Sequence, residues 1–180
     1  MTIRRIVLLG YMCSGKSTVA EALARRLEWG FADFDVEIER REGKAVSRIV
    51  AEEGEEYFRA LEAQLTEEVA DVTGVVIAPG GGWITRPELL ARMGAGTLSV
   101  WLRVSAEETV RRLMTDEIDR PLRDHPEPEA VIREMLSERE PLYRRADLAV
   151  PGDGRRVEEV AFEIEQVART RGVMPRPPSS

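Results

Sequence analysis

Hydrophobic residues along the chain fall into short continuous runs and into longer segments with helical spacing. Ile6 to Leu9 are four consecutive apolar residues inside an expected strand at 3–9, which is typical of a strand buried on both faces. Similar runs predict strands at 29–32, 75–78, 97–102 and 148–150. Apolar residues with a period of three to four predict helices at 17–27, 55–69, 87–93, 106–114, 130–143 and 157–168.

The alternation of strands with helices predicts an α/β fold. Parallel βαβ units arise from this order, because a parallel strand is reached by a crossover that is usually helical. We expect a three-layer sandwich with a central parallel sheet. Ligands of such sheets bind beyond the carboxyl ends of the strands, so the residues after Leu9, Ala78 and Leu102 are the first candidates for a site.

Length and charge restrict the classes of partner. The 180 residues suit one domain, expected over 1–170, with a disordered Pro-rich tail at 171–180. Because the net charge is −7, we expect no nucleic-acid and no membrane partner. No apolar run is long enough for a membrane span, and Cys13 is the single cysteine, so we expect a cytoplasmic protein, and a monomer.

A glycine-rich segment with a strand before it and a helix after it forms the strongest motif. It reads Gly10-Tyr-Met-Cys-Ser-Gly-Lys-Ser-Thr18 and matches the P-loop pattern G-x-x-x-x-G-K-S. Backbone N–H groups of such a loop cradle phosphates, Lys16 reaches the β/γ phosphates, and Ser17 ligates Mg²⁺. We therefore expect ATP and Mg²⁺ as cofactors. The expected nucleotide contacts in this loop are Gly10, Cys13, Ser14, Gly15, Lys16, Ser17 and Thr18.

Asp33 and Asp35 follow the predicted second strand. Alternate residues of an extended segment face the same side, so both carboxylates are expected to point into one site. Asp33 is the candidate Mg²⁺ ligand through water, and Asp35 the candidate group that orients an acceptor hydroxyl or accepts its proton.

Three further features suggest how an acceptor molecule is bound. Arg59 and Glu62 share a helix face at i, i+3, so Glu62 could fix a guanidinium that binds a carboxylate. Gly80 to Gly82 end a predicted strand and allow a ligand to approach the backbone closely. Arg120 lies in a polar, proline-containing segment at about 115–127, which is expected to form a mobile lid.

These motifs, in this order and spacing, resemble the shikimate kinase family from about Arg5 to Ala168. The resemblance rests on the segments 10–18, 33–35, 54–62, 80–82, 120–122, 139–143 and 146–147. It implies a P-loop NTPase-type fold with a five-stranded parallel sheet and a mobile lid. It also implies ATP-dependent phosphorylation of the 3-hydroxyl of shikimate, the expected small-molecule partner.

The resemblance also implies roles for individual residues. Lys16, Asp35 and Arg120 would be catalytic. The shikimate contacts would be Asp35, Arg59, Gly80, Gly81, Gly82 and Arg139, with the two arginines on the carboxylate. The adenine would be framed by Arg112, Arg155 and Arg156. Cys13 and Trp83 depart from the family pattern, in which smaller residues are more common, and Trp83 could reshape the acceptor pocket.

Two other functions remain open at this point. The chain could be a P-loop kinase for another small carboxylate-bearing alcohol, such as gluconate or an antibiotic. It could instead be a non-catalytic, nucleotide-gated binding protein, although Lys16, Asp35 and Arg120 argue for phosphotransfer.

Overall fold

A computed structural model describes residues 2–115 and 122–173. These residues form five strands and eight α-helices. The strands are β1 (Arg5–Leu9), β2 (Gly30–Asp33), β3 (Val75–Ala78), β4 (Thr97–Arg103) and β5 (Leu148–Pro151). The helices are α1 (Lys16–Leu27), α2 (Phe34–Glu42), α3 (Val46–Glu53), α4 (Glu55–Val69), α5 (Pro87–Met93), α6 (Ala106–Thr115), α7 (Pro128–Tyr143) and α8 (Val157–Thr170).

The strands form one parallel sheet in the order β2-β3-β1-β4-β5. The central strand β1 pairs with β3 and β4, and Val7 lies opposite Ile77 on one side and Ser99 on the other. The sheet brings the carboxyl ends of β1, β3 and β2 next to one another. The expected three-layer α/β architecture with a five-stranded parallel sheet is therefore confirmed.

Two hydrophobic cores cover the two faces of the sheet. Ile6 and Leu8 of β1 point into a core shared with α1 and α8. Val7 and Leu9 point into the other core, which α2, α3, α4, α5 and α7 cover. Successive side chains of a strand alternate between faces, so a strand covered on both sides needs apolar residues at every position. This requirement explains the uninterrupted run that predicts β1.

Helices α2 and α3 are not indicated by the hydrophobic pattern. Both helices are short, and six of the nine residues of α2 are charged. Each helix buries few apolar side chains: Phe34 and Ile38 from α2 and Ile49 from α3. A narrow apolar stripe over two turns gives little periodic signal. These helices cover the sheet beside β2, and α2 begins immediately after that strand.

The fold extends past residue 170. Ile3 N–H donates to Gly172 O at 2.9 Å, and Ile3 forms a parallel bridge with Val173. Residues 171–173, which the sequence analysis assigned to a disordered tail, therefore belong to the folded part. Arg120 of the expected lid lies outside the described residues. Among the described helices, none is long and apolar enough to cross a membrane.

Candidate active site

The loop between β1 and α1 has the geometry of an anion-binding site. Gly15, in the left-handed region at φ 88°, is the N-cap of α1 and has no side chain to cap the helix. The N–H groups of the first turn are thus left for a ligand, and the helix dipole favours an anion there. A Cβ at Gly10 would lie 2.6 Å from Ser14 Oγ, so the tight turn requires glycine at this position.

Lys16 lies across this loop. Its Nζ donates to Gly10 O and Tyr11 O, both at 2.9 Å. The ammonium group is therefore held directly above the loop backbone. Ser17 and Thr18 follow it in the first turn of α1, and both are exposed.

Cys13 has a left-handed backbone at φ 57°, which costs a non-glycine residue roughly 1–2 kcal/mol. This conformation explains why a smaller residue is expected there, since glycine adopts it without penalty. The backbone carbonyls of Cys13 and Ser14 both point toward Arg112 of α6. Its Nη1 lies 3.3 Å from Cys13 O and 3.0 Å from Ser14 O.

Arg112 connects the phosphate loop with the turn after β5. Its Nη2 donates to Gly152 O at 2.9 Å, and its Nε donates to Glu108 at 2.7 Å. Arg155 and Arg156 follow the same turn. Arg155 pairs with Glu163 at 2.7 Å. Arg156 caps α8 and has a largely exposed side chain, which pairs with Glu159 at 3.3 Å. The three arginines expected near adenine thus lie around one turn, which Arg112 joins to the phosphate loop.

Asp33 and Asp35 are arranged differently from the sequence expectation. They do not lie on one extended segment, because β2 ends at Asp33 and α2 begins at Phe34. Asp33 is the N-cap of α2, and its Oδ1 accepts from Val36 N–H at 3.2 Å. Asp35 lies in the first helical turn with its Oδ1 buried. Aspartate is favoured at the N-cap of a helix, so the extended segment ends at Asp33 and does not continue to Asp35.

Gly80, Gly81 and Gly82 form a loop after β3 that several functional groups approach closely. A Cβ at Gly80 would collide with Glu62 Oε1 and would lie 3.2 Å from Asp35 Oδ1. A Cβ at Gly81 would lie 3.0 Å from Met12 N of the phosphate loop. A Cβ at Gly82 would collide with the guanidinium of Arg59. A side chain at Gly80 would press on Asp35, and one at Gly82 would displace Arg59, and both of these residues are expected from the sequence to contact the acceptor.

Arg59 and Glu62 form an ion pair under this glycine loop. Arg59 Nη1 donates to Glu62 Oε2 at 2.6 Å, and Nη2 donates to Glu55 at 3.0 Å. Glu62 is fully buried, so the pair is not the solvated surface pair that i, i+3 spacing alone commonly gives. Burial raises the pKa of Glu62, and the charge of Asp35 adds to the rise, whereas Arg59 opposes it.

Arg139 reaches the same loop from α7. Its Nη1 donates to Gly81 O at 3.2 Å, and its guanidinium carbon lies 5.2 Å from the centre of the Tyr11 ring. Tyr143, one turn later on α7, also donates to Gly81 O, at 3.3 Å, and stacks on Trp101. The i, i+4 spacing of Arg139 and Tyr143 could have indicated this second contact, whereas no sequence signal joins Tyr11 to Arg139.

Trp83 lies in the hydrophobic core beneath the glycine loop. Only 1% of the residue is exposed, and its indole N–H donates to Thr66 Oγ1 at 2.9 Å. Thr66 in turn donates to Glu62 O at 2.8 Å on α4. The indole therefore fixes the helix that carries Glu62 and Arg59.

A parallel sheet with a P-loop after its central strand, and with arginines and a carboxylate at the neighbouring loop, defines a P-loop phosphotransferase. A family model described as Shikimate kinase matches residues 12–169. The chain is 38% identical over 167 residues to the shikimate kinase of Synechococcus sp. (strain CC9902), covering 93% of this chain and 87% of that one. It is 40% identical over 164 residues to that of Moorella thermoacetica, covering 91% and 94%.

A solved structure agrees with these sequence relatives. The shikimate kinase from Acinetobacter baumannii in complex with shikimate superposes with a TM-score of 0.86 at 32% identity, covering 94% of this chain and 95% of that one. The chain belongs to the shikimate kinase family, and it is accordingly an enzyme that uses ATP as a kinase.

The buried Glu62 predicts an unusual dependence of stability on pH. The pKa of the Glu62 carboxyl is higher in the folded state than its ordinary value of 4.5. At pH values between these two pKa values, the folded state therefore binds more protons than the unfolded state. The contribution of Glu62 to the free energy of unfolding should fall over that window. Urea unfolding at several pH values should show this fall in the wild type and not in Glu62→Gln.

Glu37 provides a control of opposite sign. Hydrogen bonds from Arg40 and Arg41 lower the pKa of Glu37 to about 2. Its contribution to the free energy of unfolding is therefore present above pH 4.5 and is lost as pH falls toward 2. The free energy of unfolding of the wild type should therefore exceed that of Glu37→Gln by an amount that grows with pH. Equal slopes for wild type and Glu62→Gln would contradict the assignment of a raised pKa to Glu62.

Proposed function

We propose that this enzyme transfers the γ-phosphoryl group of ATP to the 3-hydroxyl of shikimate, giving shikimate 3-phosphate and ADP. The observation that carries the proposal is the convergence of Arg59 from α4 and Arg139 from α7 on one glycine loop. That loop touches the phosphate loop at Met12. Two guanidinium groups beside a phosphate site suit an acceptor with a carboxylate and a nearby alcohol.

The protein mainly positions the reactants and stabilises charge, since phosphoryl transfer requires little covalent chemistry from the enzyme. The uncapped first turn of α1 and the loop N–H groups bind the phosphates. Lys16 already lies above this loop, and its ammonium neutralises charge on the β/γ phosphates. Arg120, expected on the lid, would add a second positive charge, and Arg112, Arg155 and Arg156 would border the adenine.

Asp35 is the proposed partner of the acceptor hydroxyl. Its carboxylate lies at Gly80, beside the loop that Arg59 and Arg139 contact. A hydroxyl bound there donates a hydrogen bond to Asp35, which aligns the oxygen for attack and takes its proton as the new P–O bond forms. Glu62 lies behind Gly80, close enough to Asp35 for the charge of Asp35 to contribute to the raised pKa of Glu62.

Mg²⁺ fits the oxygen groups at the end of β1 and β2. Ser17 presents an exposed hydroxyl in the first turn of α1, and Asp33 uses one carboxylate oxygen to cap α2. Hydroxyl and carboxylate oxygens are the ligands that Mg²⁺ prefers, and it commonly keeps several waters. We infer that Ser17 binds it directly and Asp33 through water. The ion would supply neutralisation of phosphate charge.

We further propose that the enzyme acts in the cytoplasm as a monomer, with one domain that extends to residue 173 and a lid at about 115–127. The single cysteine lies inside the phosphate loop, which suits a reducing compartment. The net charge of −7 suits small-molecule partners rather than nucleic acid or an anionic membrane surface.

An assay of ADP release tests the proposed reaction. Purified enzyme with ATP and Mg²⁺ is offered shikimate, quinate, gluconate and buffer alone, and the product is identified by phosphorus NMR. We expect shikimate-dependent release, with the phosphate on the 3-hydroxyl, and a much lower kcat/KM for gluconate. Turnover of gluconate with none of shikimate would favour another carboxylate-bearing alcohol, and binding of ATP without any transfer would favour a non-catalytic protein.

Replacing Asp35 with asparagine tests the proton acceptor. Asp35→Asn keeps the size and a hydrogen-bond acceptor but cannot take a proton, so kcat should fall by about 100-fold or more. Isothermal titration should show ADP binding unchanged, because the phosphate loop is untouched. Full activity of this variant would refute the role of Asp35.

Gly82→Ala tests the close approach of Arg59. The new methyl group would occupy the position of the guanidinium, so KM for shikimate should rise by about tenfold or more. Gly30→Ala is the matched control, because a Cβ there meets nothing closer than 3.6 Å. Its KM should stay within about twofold of wild type, as is usual for substitutions away from a site. Equal effects of the two variants would show that the glycine at 82 has no special role.

A further inference from the structure

The two arginines at the glycine loop differ in their electrostatic surroundings. Arg59 is paired with two carboxylates, those of Glu62 and Glu55. Arg139 contacts uncharged groups instead: the carbonyl of Gly81, the ring face of Tyr11 and the hydroxyl of Tyr143. Within the described part of the chain, no carboxylate forms an ion pair with Arg139. The net positive charge offered to an acceptor carboxylate therefore resides mainly on Arg139.

Tyr11 is fixed firmly enough to position another side chain. Only 3% of it is exposed, and its hydroxyl donates to Met135 Sδ at 3.0 Å. Met135 precedes Arg139 by one turn on α7, so Tyr11 contacts two successive turns of this helix. Burial raises the pKa of the Tyr11 phenol, which keeps it neutral and leaves the ring as an electron-rich surface for a cation.

Tyr11 is also part of the phosphate loop. Its carbonyl accepts from Lys16 Nζ at 2.9 Å, while its ring lies under the Arg139 guanidinium. The next residue, Met12, packs against Gly81, whose carbonyl is another partner of Arg139. One residue thus contacts the lysine assigned to the nucleotide and the arginine assigned to the acceptor.

We propose that the ring of Tyr11 is a positioning group for Arg139, holding its guanidinium ready for the acceptor carboxylate at a fixed separation from Lys16. A neutral π-face restricts the guanidinium without cancelling its charge, whereas a carboxylate in the same place would compete with the substrate. The proposal rests on the proposed function, because it assigns Arg139 to the carboxylate of shikimate.

A series of fluorinated phenylalanines at position 11 tests this role with little change of shape. Tyr11→Phe removes only the hydroxyl, and difluoro- and pentafluorophenylalanine then progressively remove the negative face of the ring. If the ring holds the cation, KM for shikimate should rise stepwise, by about 3- to 30-fold from phenylalanine to its pentafluoro form. The lost interaction stabilises the bound substrate and the transition state equally, so kcat should remain within about twofold of the wild-type value.

Two measurements separate positioning from a merely structural effect. The Kd for ADP without shikimate should stay constant along the series, because a distorted phosphate loop would weaken it together with kcat. Pentafluorophenylalanine at position 162 is the matched control. Phe162 is half exposed on α8, its ring lies 5.0 Å from the Arg26 guanidinium, and fluorination there should leave the KM for shikimate unchanged.

Each outcome decides a separate point. A KM that does not depend on fluorination, in an enzyme that phosphorylates shikimate, would overturn the positioning role and leave the proposed function intact. Parallel loss of ADP affinity and kcat would show that Tyr11 only supports the phosphate loop. Wild-type enzyme without any turnover of shikimate would overturn the proposed function, and the role of Tyr11 with it.

Discussion

The close packing of three backbone glycines against charged side chains is the constraint on which the site depends. Gly80 lies against Glu62 and Asp35, and Gly82 lies against the guanidinium of Arg59. Gly81 touches the phosphate loop, and its carbonyl accepts from Arg139. Any side chain here would separate the groups that we propose to act on one small molecule. The parallel sheet makes the contact possible, because β3 lies directly beside β1 and delivers this loop to the phosphate loop.

Negative charge is buried beneath this loop, although burial of unpaired charge is costly. Glu62 is fully buried, and Arg59 on the same helix compensates it at 2.6 Å. Breaking such a pair by removing one partner usually costs several kcal/mol, roughly 3–5, because the remaining charge stays desolvated. The arrangement holds Arg59 in one position and places the Glu62 carboxyl near Asp35, whose charge contributes to the raised pKa of Glu62. Trp83 and Thr66 fix the same turn of α4 from the core side.

The phosphate loop carries strain that the surrounding structure supports. Cys13 adopts a left-handed conformation, and the adjacent carbonyl of Ser14 accepts from Arg112. Arg112 also bonds to Glu108 and Gly152, so the loop is joined to α6 and to the turn after β5. Backbone strain of this kind persists where neighbouring contacts over-determine the conformation, and such contacts cluster at functional sites. The loop is therefore held in a phosphate-binding shape by side chains distant in sequence.

The sequence by itself determined the features that depend on neighbouring residues. The buried strands, the phosphate loop and the i, i+3 pair of Arg59 and Glu62 all follow from local spacing, and the structure contains each of them. Local spacing predicted an extended segment through Asp35, which is wrong because helix α2 begins at Phe34. Only the tertiary structure decided that Arg139 lies over Tyr11 and that Asp35 lies beside Glu62. Those contacts follow from the order of the strands in the sheet, which no local pattern of hydrophobic residues encodes.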